Sequence, residues 1–133
     1  MADAVTSLTI HDGRRWAIMG FTNQSDGTGE SAVTKVDVSA LADAPAFVTI
    51  EEIWYSTVGM AVAILWDATT DVLAFSVPAD ASDRQSFKSI GGLKNNAGSG
   101  VTGDLKFTTV GHSAGDSYSI RLLLRKAKTR AFA

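Results

Sequence analysis

The sequence predicts an all-β fold, a jelly-roll-like β-sandwich of eight or nine short strands. Apolar and polar residues alternate at period two along most of the 133-residue chain. Gly, Asn, Asp or Ser interrupts that alternation roughly every eight to twelve residues, the turn spacing of sandwiches. No long segment carries the helical period. Nothing in the composition divides the chain, so residues 1–133 are expected to form one domain, with a basic C-terminal extension from about residue 127.

The elements follow in order. Residues 5–10 form a first strand, and Asp12-Gly13 a turn. Residues 14–22 form a second strand, with Trp16 and Ile18 on one face and Ala17, Met19 and Phe21 on the other. The stretch Asn23-Gln24-Ser25-Asp26-Gly27-Thr28-Gly29 is a polar surface loop, followed by a strand over 31–38. Residues 39–45 are a small-residue linker with room for one helical turn. Residues 47–57 form a long strand in which Phe47, Ile53 and Tyr55 share one parity and Val48, Ile50 and Trp54 the other. Residues 60–66 and 72–77 form a hairpin across the loop 67–71, and Pro78 ends its second strand because it cannot donate a ladder hydrogen bond. Alanines alternate with Met60, Val62, Ile64 and Trp66, leaving one face flat enough for a close neighbour. Residues 87–90 are read as a short strand and 91–103, rich in Gly and Asn, as a mobile surface loop. The last strands are 105–110 and 118–126. In the latter Tyr118, Ile120, Leu122 and Leu124 form an inward stripe that marks a central strand.

Composition narrows the function. There is no cysteine, hence no disulfide framework and no thiolate metal site. Residues 1–10 carry neither the positive nor the apolar region of a signal peptide, and the longest apolar stretch, 60–66, is too short to span a bilayer. Synthesis in the cytoplasm and no membrane partner are the expectation. All 14 carboxylates precede Arg121, whereas Arg121, Arg125, Lys126, Lys128 and Arg130 follow without an acid. Such a dipole suits a solvated tail, a contact with an acidic protein surface or a nucleic-acid arm, the last being the least favoured.

No constellation for catalysis, cofactor or metal emerges. His11 and His112 each sit beside a turn with no ligand-like partner spacing. Ser-Asp-Gly-Thr-Gly-Glu at 25–30 offers two carboxylates where calcium wants six or more oxygens. Gly-Gly-Leu-Lys at 91–94 precedes a strand, not the helix of a phosphate loop. Glu51 and Glu52 are neighbours on a strand, so they point to opposite faces and do not form an acid–base pair. Trp16, Trp54 and Trp66 are read as core, although Arg14-Arg15-Trp16 also has the chemistry of an interface anchor.

Four stretches carry a resemblance by their order and spacing. They are Thr22-Asn23-Gln24-Ser25-Asp26-Gly27-Thr28-Gly29-Glu30-Ser31-Ala32-Val33-Thr34-Lys35-Val36-Asp37-Val38, Leu65-Trp66-Asp67-Ala68-Thr69-Thr70-Asp71, Gly91-Gly92-Leu93-Lys94 and Gly115-Asp116-Ser117-Tyr118-Ser119-Ile120-Arg121-Leu122. Together they resemble the capsid decoration (cement) proteins and small virion structural proteins of tailed bacteriophages. The resemblance implies a β-sandwich and a place on the capsid surface of a virion. It implies the major capsid protein of the shell as partner, a homo-oligomer with a trimer favoured, and no catalytic residue. A neck or tail component and a carbohydrate-binding sandwich are the alternatives. The expected partner contacts are Arg14, Arg15, Trp16, Arg125, Lys126, Lys128 and Arg130, with Phe132 filling a pocket on a neighbour.

Overall fold

The computed structural model describes residues 4–43 and 45–127. They form nine strands: β1 (Ala4–Asp12), β2 (Trp16–Gln24), β3 (Val33–Val36), β4 (Phe47–Val58), β5 (Ala61–Trp66), β6 (Val72–Val77), β7 (Ser82–Ser86), β8 (Leu105–Val110) and β9 (Ser117–Ala127). Two sheets result, a five-stranded one in the order β1-β2-β9-β4-β7 and a four-stranded one in the order β3-β8-β5-β6. Every named pairing is antiparallel.

The pairings nest. β5 pairs β6, β4 pairs β7, β3 pairs β8 and β2 pairs β9, each pair lying in the opposite sheet from the one before. The chain is therefore one long antiparallel ribbon, closed by the β5–β6 hairpin and rolled up on itself. This is the jelly-roll arrangement, with β1 added at one edge.

The rolled ribbon encloses one core. From the five-stranded sheet come Ala17, Met19 and Phe21 of β2, so that Trp16 on the opposite face is not core, and the whole Tyr118, Ile120, Leu122, Leu124 stripe. Val62, Ile64 and Trp66 of β5 meet them from the other sheet with Leu105 and Phe107 of β8. Phe107 touches Phe21 and Tyr118 edge-on, with centroids 5.2 and 5.9 Å apart, the offset geometry aromatic rings prefer.

Several expectations need correction. Strand β4 does not keep one parity. Ile50 faces Leu124 and Glu52 faces Leu123, so Glu51 is an extra residue, a β-bulge. The bulge reverses the alternation and buries Val48, Ile50, Ile53 and Tyr55 together, leaving Trp54 outward. Residues 87–90 are not a strand. The strand is the polar β7, and Lys88–Ile90 is a 3-10 turn ended by Gly91 in the left-handed region. The segment 91–103 is not all surface, since Asn95 and Ala97 are buried. The linker does hold one 3-10 turn, Val38–Ala40, capped by Asp37.

Candidate functional site

The outer face of the five-stranded sheet is the most distinctive surface of the molecule. Antiparallel partners share a face, so register defines its rows. One row crosses all five strands as Leu8, Gly20, Arg121, Trp54 and Arg84. On one side of it lies a hydroxyl row, Thr6, Thr22, Ser119, Ser56 and Ser82. On the other side lie His11, Ile18, Leu123, Glu52 and Ser86. Apolar Leu8, Ile18, Trp54 and Leu123 thus stand among Arg121, Arg84 and Glu52, with hydroxyls along one side. Leu8 is 62% exposed and Ile10, the bulged residue of β1, 46%.

Two hollows mark this face, one on each side of Arg121. One, of about 440 Å³, is lined by Trp54, Ser56, Ser82, Asp83, Arg84, Ser119 and Arg121. The other, of about 150 Å³, includes Leu8, Ile10, Gly20 and Arg121. Gly20 lies in the central row and lines the second hollow, where it contributes no side chain.

The electrostatics single out two of these residues. Lys35 pairs with Glu30 at 2.5 Å, and Lys106 with Asp67 at 2.7 Å and Asp71 at 3.6 Å. Arg125 pairs with Glu51 at 2.8 Å, and Lys126 with Asp12. Among the described residues, the strand-borne cations without such a carboxylate are Arg84 and Arg121. They flank Trp54 in one row. Glu52, two residues before Trp54 on this face, is drawn instead towards Lys88 at 3.7 Å.

The sequence-predicted contacts divide. Arg14 and Arg15 occupy the β1–β2 turn, exposed, and Trp16 opens β2 on this same outer face, 39% exposed. Arg125 and Lys126 close the strand, as the expected range 118–126 implies. Both lie in β9 and are held by their own chain. Arg125 Nη2 donates to the Gly91 carbonyl at 3.0 Å. Lys126 Nζ, its side chain only 4% exposed, bonds Asp12 and the carbonyls of Gly13 and Ala42. Lys126 thus directs its three donors to its own chain, whereas Arg125 keeps a side chain 43% exposed. Lys128, Arg130 and Phe132 lie outside the described residues. Sequence reasoning missed Trp54, which it placed in the core, and Arg84, whose strand has no apolar alternation to announce it.

No protein-family model matches this chain, and no curated protein matches it. Among the described residues no group of three or more His, Cys, Asp or Glu is placed to hold a metal ion. No described helix is long and apolar enough to cross a membrane.

The carboxylates of the 25–30 loop and of the β4 bulge bond within the chain. Glu30 is buried, accepts from Tyr118 Oη at 2.6 Å and Asn23 Nδ2 at 2.9 Å, and pairs with Lys35. Glu30 therefore serves the interior rather than a cation site in the 25–30 loop. Asp26 is exposed and closes its own turn by accepting from Thr28 N at 3.0 Å. Glu51 and Glu52 are both buried, beside the segment that includes Lys88 and Gly92. The Glu51 bulge lets Arg125 and Lys88 hold them outside the apolar core.

Proposed function

We propose that this chain is a non-enzymatic structural subunit of a tailed-phage virion, which binds the outside of the capsid shell and stabilises it. One observation carries the reading: the Leu8–Gly20–Arg121–Trp54–Arg84 row, an indole between two guanidiniums without carboxylate partners, displayed on a rigid sheet. Trp and Arg are the residue types that most often anchor protein interfaces. The order of turn and strand motifs along the chain supports the virion assignment.

The mechanism is mass action. A subunit that binds only the assembled shell lowers the free energy of that state and opposes its disassembly. Many copies on one particle multiply a modest affinity for the major capsid protein. A sheet suits the task because its backbone is already ordered, so docking costs little conformational entropy.

Particles assembled with this chain provide the test. Hundreds of copies per virion, with density for the chain on the outer shell, are the expected result. A few tens of copies confined to the neck or tail would move the protein to that part of the particle, and absence from virions would end the reading. Trp54→Ala and Arg121→Glu should each lower shell occupancy at least tenfold while leaving the melting temperature of the free protein unchanged, since neither side chain supports the core. Binding of an acidic glycan with unaltered shell occupancy in both variants would favour the carbohydrate-binding alternative.

A further inference from the structure

Sandwich sheets have edges, and each edge strand exposes unpaired N–H and C=O groups that template another strand. Natural proteins blunt such edges. Here β3 has four residues and β7 five, with Asp83 and Arg84 in it. The β6 edge has six residues, an irregular register beside Leu73 and Pro78 directly after it. The fourth edge is different. β1 runs nine residues, Ala4-Val-Thr-Ser-Leu-Thr-Ile-His-Asp, bonded on one side to β2 and to no other named strand. It has no proline, and no charged residue before Asp12.

The burial of β1 is equally unusual. Residues 5–12 are all exposed, those on the inner side (Val5, Ser7, Thr9) as well as those on the outer. Val5 is 47% exposed although it shares a face with buried Asn23. Among the described residues, no named strand pairs with the free edge of β1, and both faces of residues 5–11 are exposed.

We infer that β1 is a homotypic pairing site, at which the β1 strands of two copies of this chain join antiparallel about a two-fold axis and merge two five-stranded sheets into one. The occupant is a second copy because β1 is self-complementary. Reversed on itself about Ser7, it sets Val5 opposite Thr9 and Thr6 opposite Leu8, with β-branched residues in each pair and no like charges facing. The same symmetry places the Leu8 side chains of the two copies diagonally across the seam, each opposite a Thr6. The in-register part of β1, Ala4 to Thr9, lies before the bulge at Ile10, so the segment about Ser7 follows the ladder without a break. This contact is independent of the virion reading. The alanine-bearing outer face of β5, from which a trimer is expected, is a different surface and remains open to a three-fold contact.

Sedimentation velocity of the full chain tests the inference. Its mass should rise with concentration towards two chains. Leu8→Lys, which places a charge in the seam, and Ser7→Pro, which removes the donor from the ladder, should each return a monomer. Neither position carries core packing, and circular dichroism of each variant checks that its loss of dimer is not a loss of fold. Because the chain has no cysteine, Ser7→Cys gives a second readout. Residues opposed in an antiparallel pair have Cα atoms about 4.5–5.5 Å apart, within disulfide reach. Mild oxidation should cross-link Ser7→Cys at least tenfold faster than Ser31→Cys on an exposed loop. A monomer at all concentrations, a dimer that survives both β1 variants, or equal cross-linking at the two cysteines would overturn the proposal.

Discussion

At the scale of single residues, the decisive feature is how the chain disposes of its charges. Lys35 and Glu30 are both buried, and Tyr118 and Asn23 supply further hydrogen bonds to the same carboxylate. Removing one partner of such a pair strands the other without water. We predict that Lys35→Met destabilises the fold by about 3–5 kcal/mol, read as a fall in the urea midpoint at unchanged slope. Tyr118→Phe should cost less, about 1–2 kcal/mol, because it removes one hydrogen bond and leaves the ion pair intact. The same logic makes Arg84 and Arg121 conspicuous, since a fold that pairs its other strand-borne cations leaves these two for something outside it. Arg121 was legible as an outward position from the alternation of β9. Its neighbour Trp54 was not, because the bulge before it cannot be seen by counting parity.

At the scale of elements, legibility followed the apolar alternation. β5, β8 and the inward stripe of β9 are legible nearly to the residue because buried positions alternate strictly with less buried ones along each. β7 was missed because Ser-Asp-Arg-Gln-Ser carries no apolar residue, and only its place at the sheet edge makes it a strand. Phe87 and Ile90 suggested a strand in its stead, yet Phe87 packs edge-on against Phe75 and the chain turns there. The glycines of 91–92 predict mobility, but Gly92 is needed for close approach. It sits at φ +88°, where a Cβ would collide with Thr49 Cγ2 and crowd the Glu51 carboxylate. That approach lets Leu93 exchange both backbone hydrogen bonds with Ile50, at 3.0 and 2.7 Å. Gly92→Ala should therefore destabilise by at least about 1 kcal/mol, while Gly98→Ala, where a Cβ meets nothing within 4 Å, should be nearly neutral. Equal melting temperatures for the two variants would show that this segment does not dock as described.

At the scale of the whole molecule, β9 is the strand that closes the roll, and its C-terminal end is where three separate segments are fastened. Lys126 holds the β1–β2 turn through Asp12 and the Gly13 carbonyl, and holds residue 42 through the Ala42 carbonyl. Asp12 in turn accepts from Ala42 N at 2.9 Å. Arg125 ties down Gly91 and Glu51. The Lys126 hydrogen bond holds the Asp12 carboxyl below its ordinary value. A lowered carboxyl contributes stability above its unfolded value and loses it as pH falls through the lowered folded value. The stability gap between the wild type and Asp12→Asn should accordingly close in acid, measured as urea midpoints across that range; a constant gap would show that the clamp does not depend on the charge of Asp12. The same anatomy separates folding from binding at the C-terminus. A chain ending at Ala127 keeps every contact named above and should melt within a few degrees of the full chain. A chain ending at Leu124 loses Arg125 and Lys126, leaves Asp12 and Glu51 without their cations, and should lose several degrees more. Lys128, Arg130 and Phe132 are then free to be tested for partner contact alone. If they reach a neighbouring shell subunit, the Ala127 truncation should fold normally yet show reduced occupancy on particles, most strongly at low salt, where exposed ion pairs count most. Undiminished occupancy at every salt concentration would leave those residues a solubilising role and put the whole burden of docking on the sheet face.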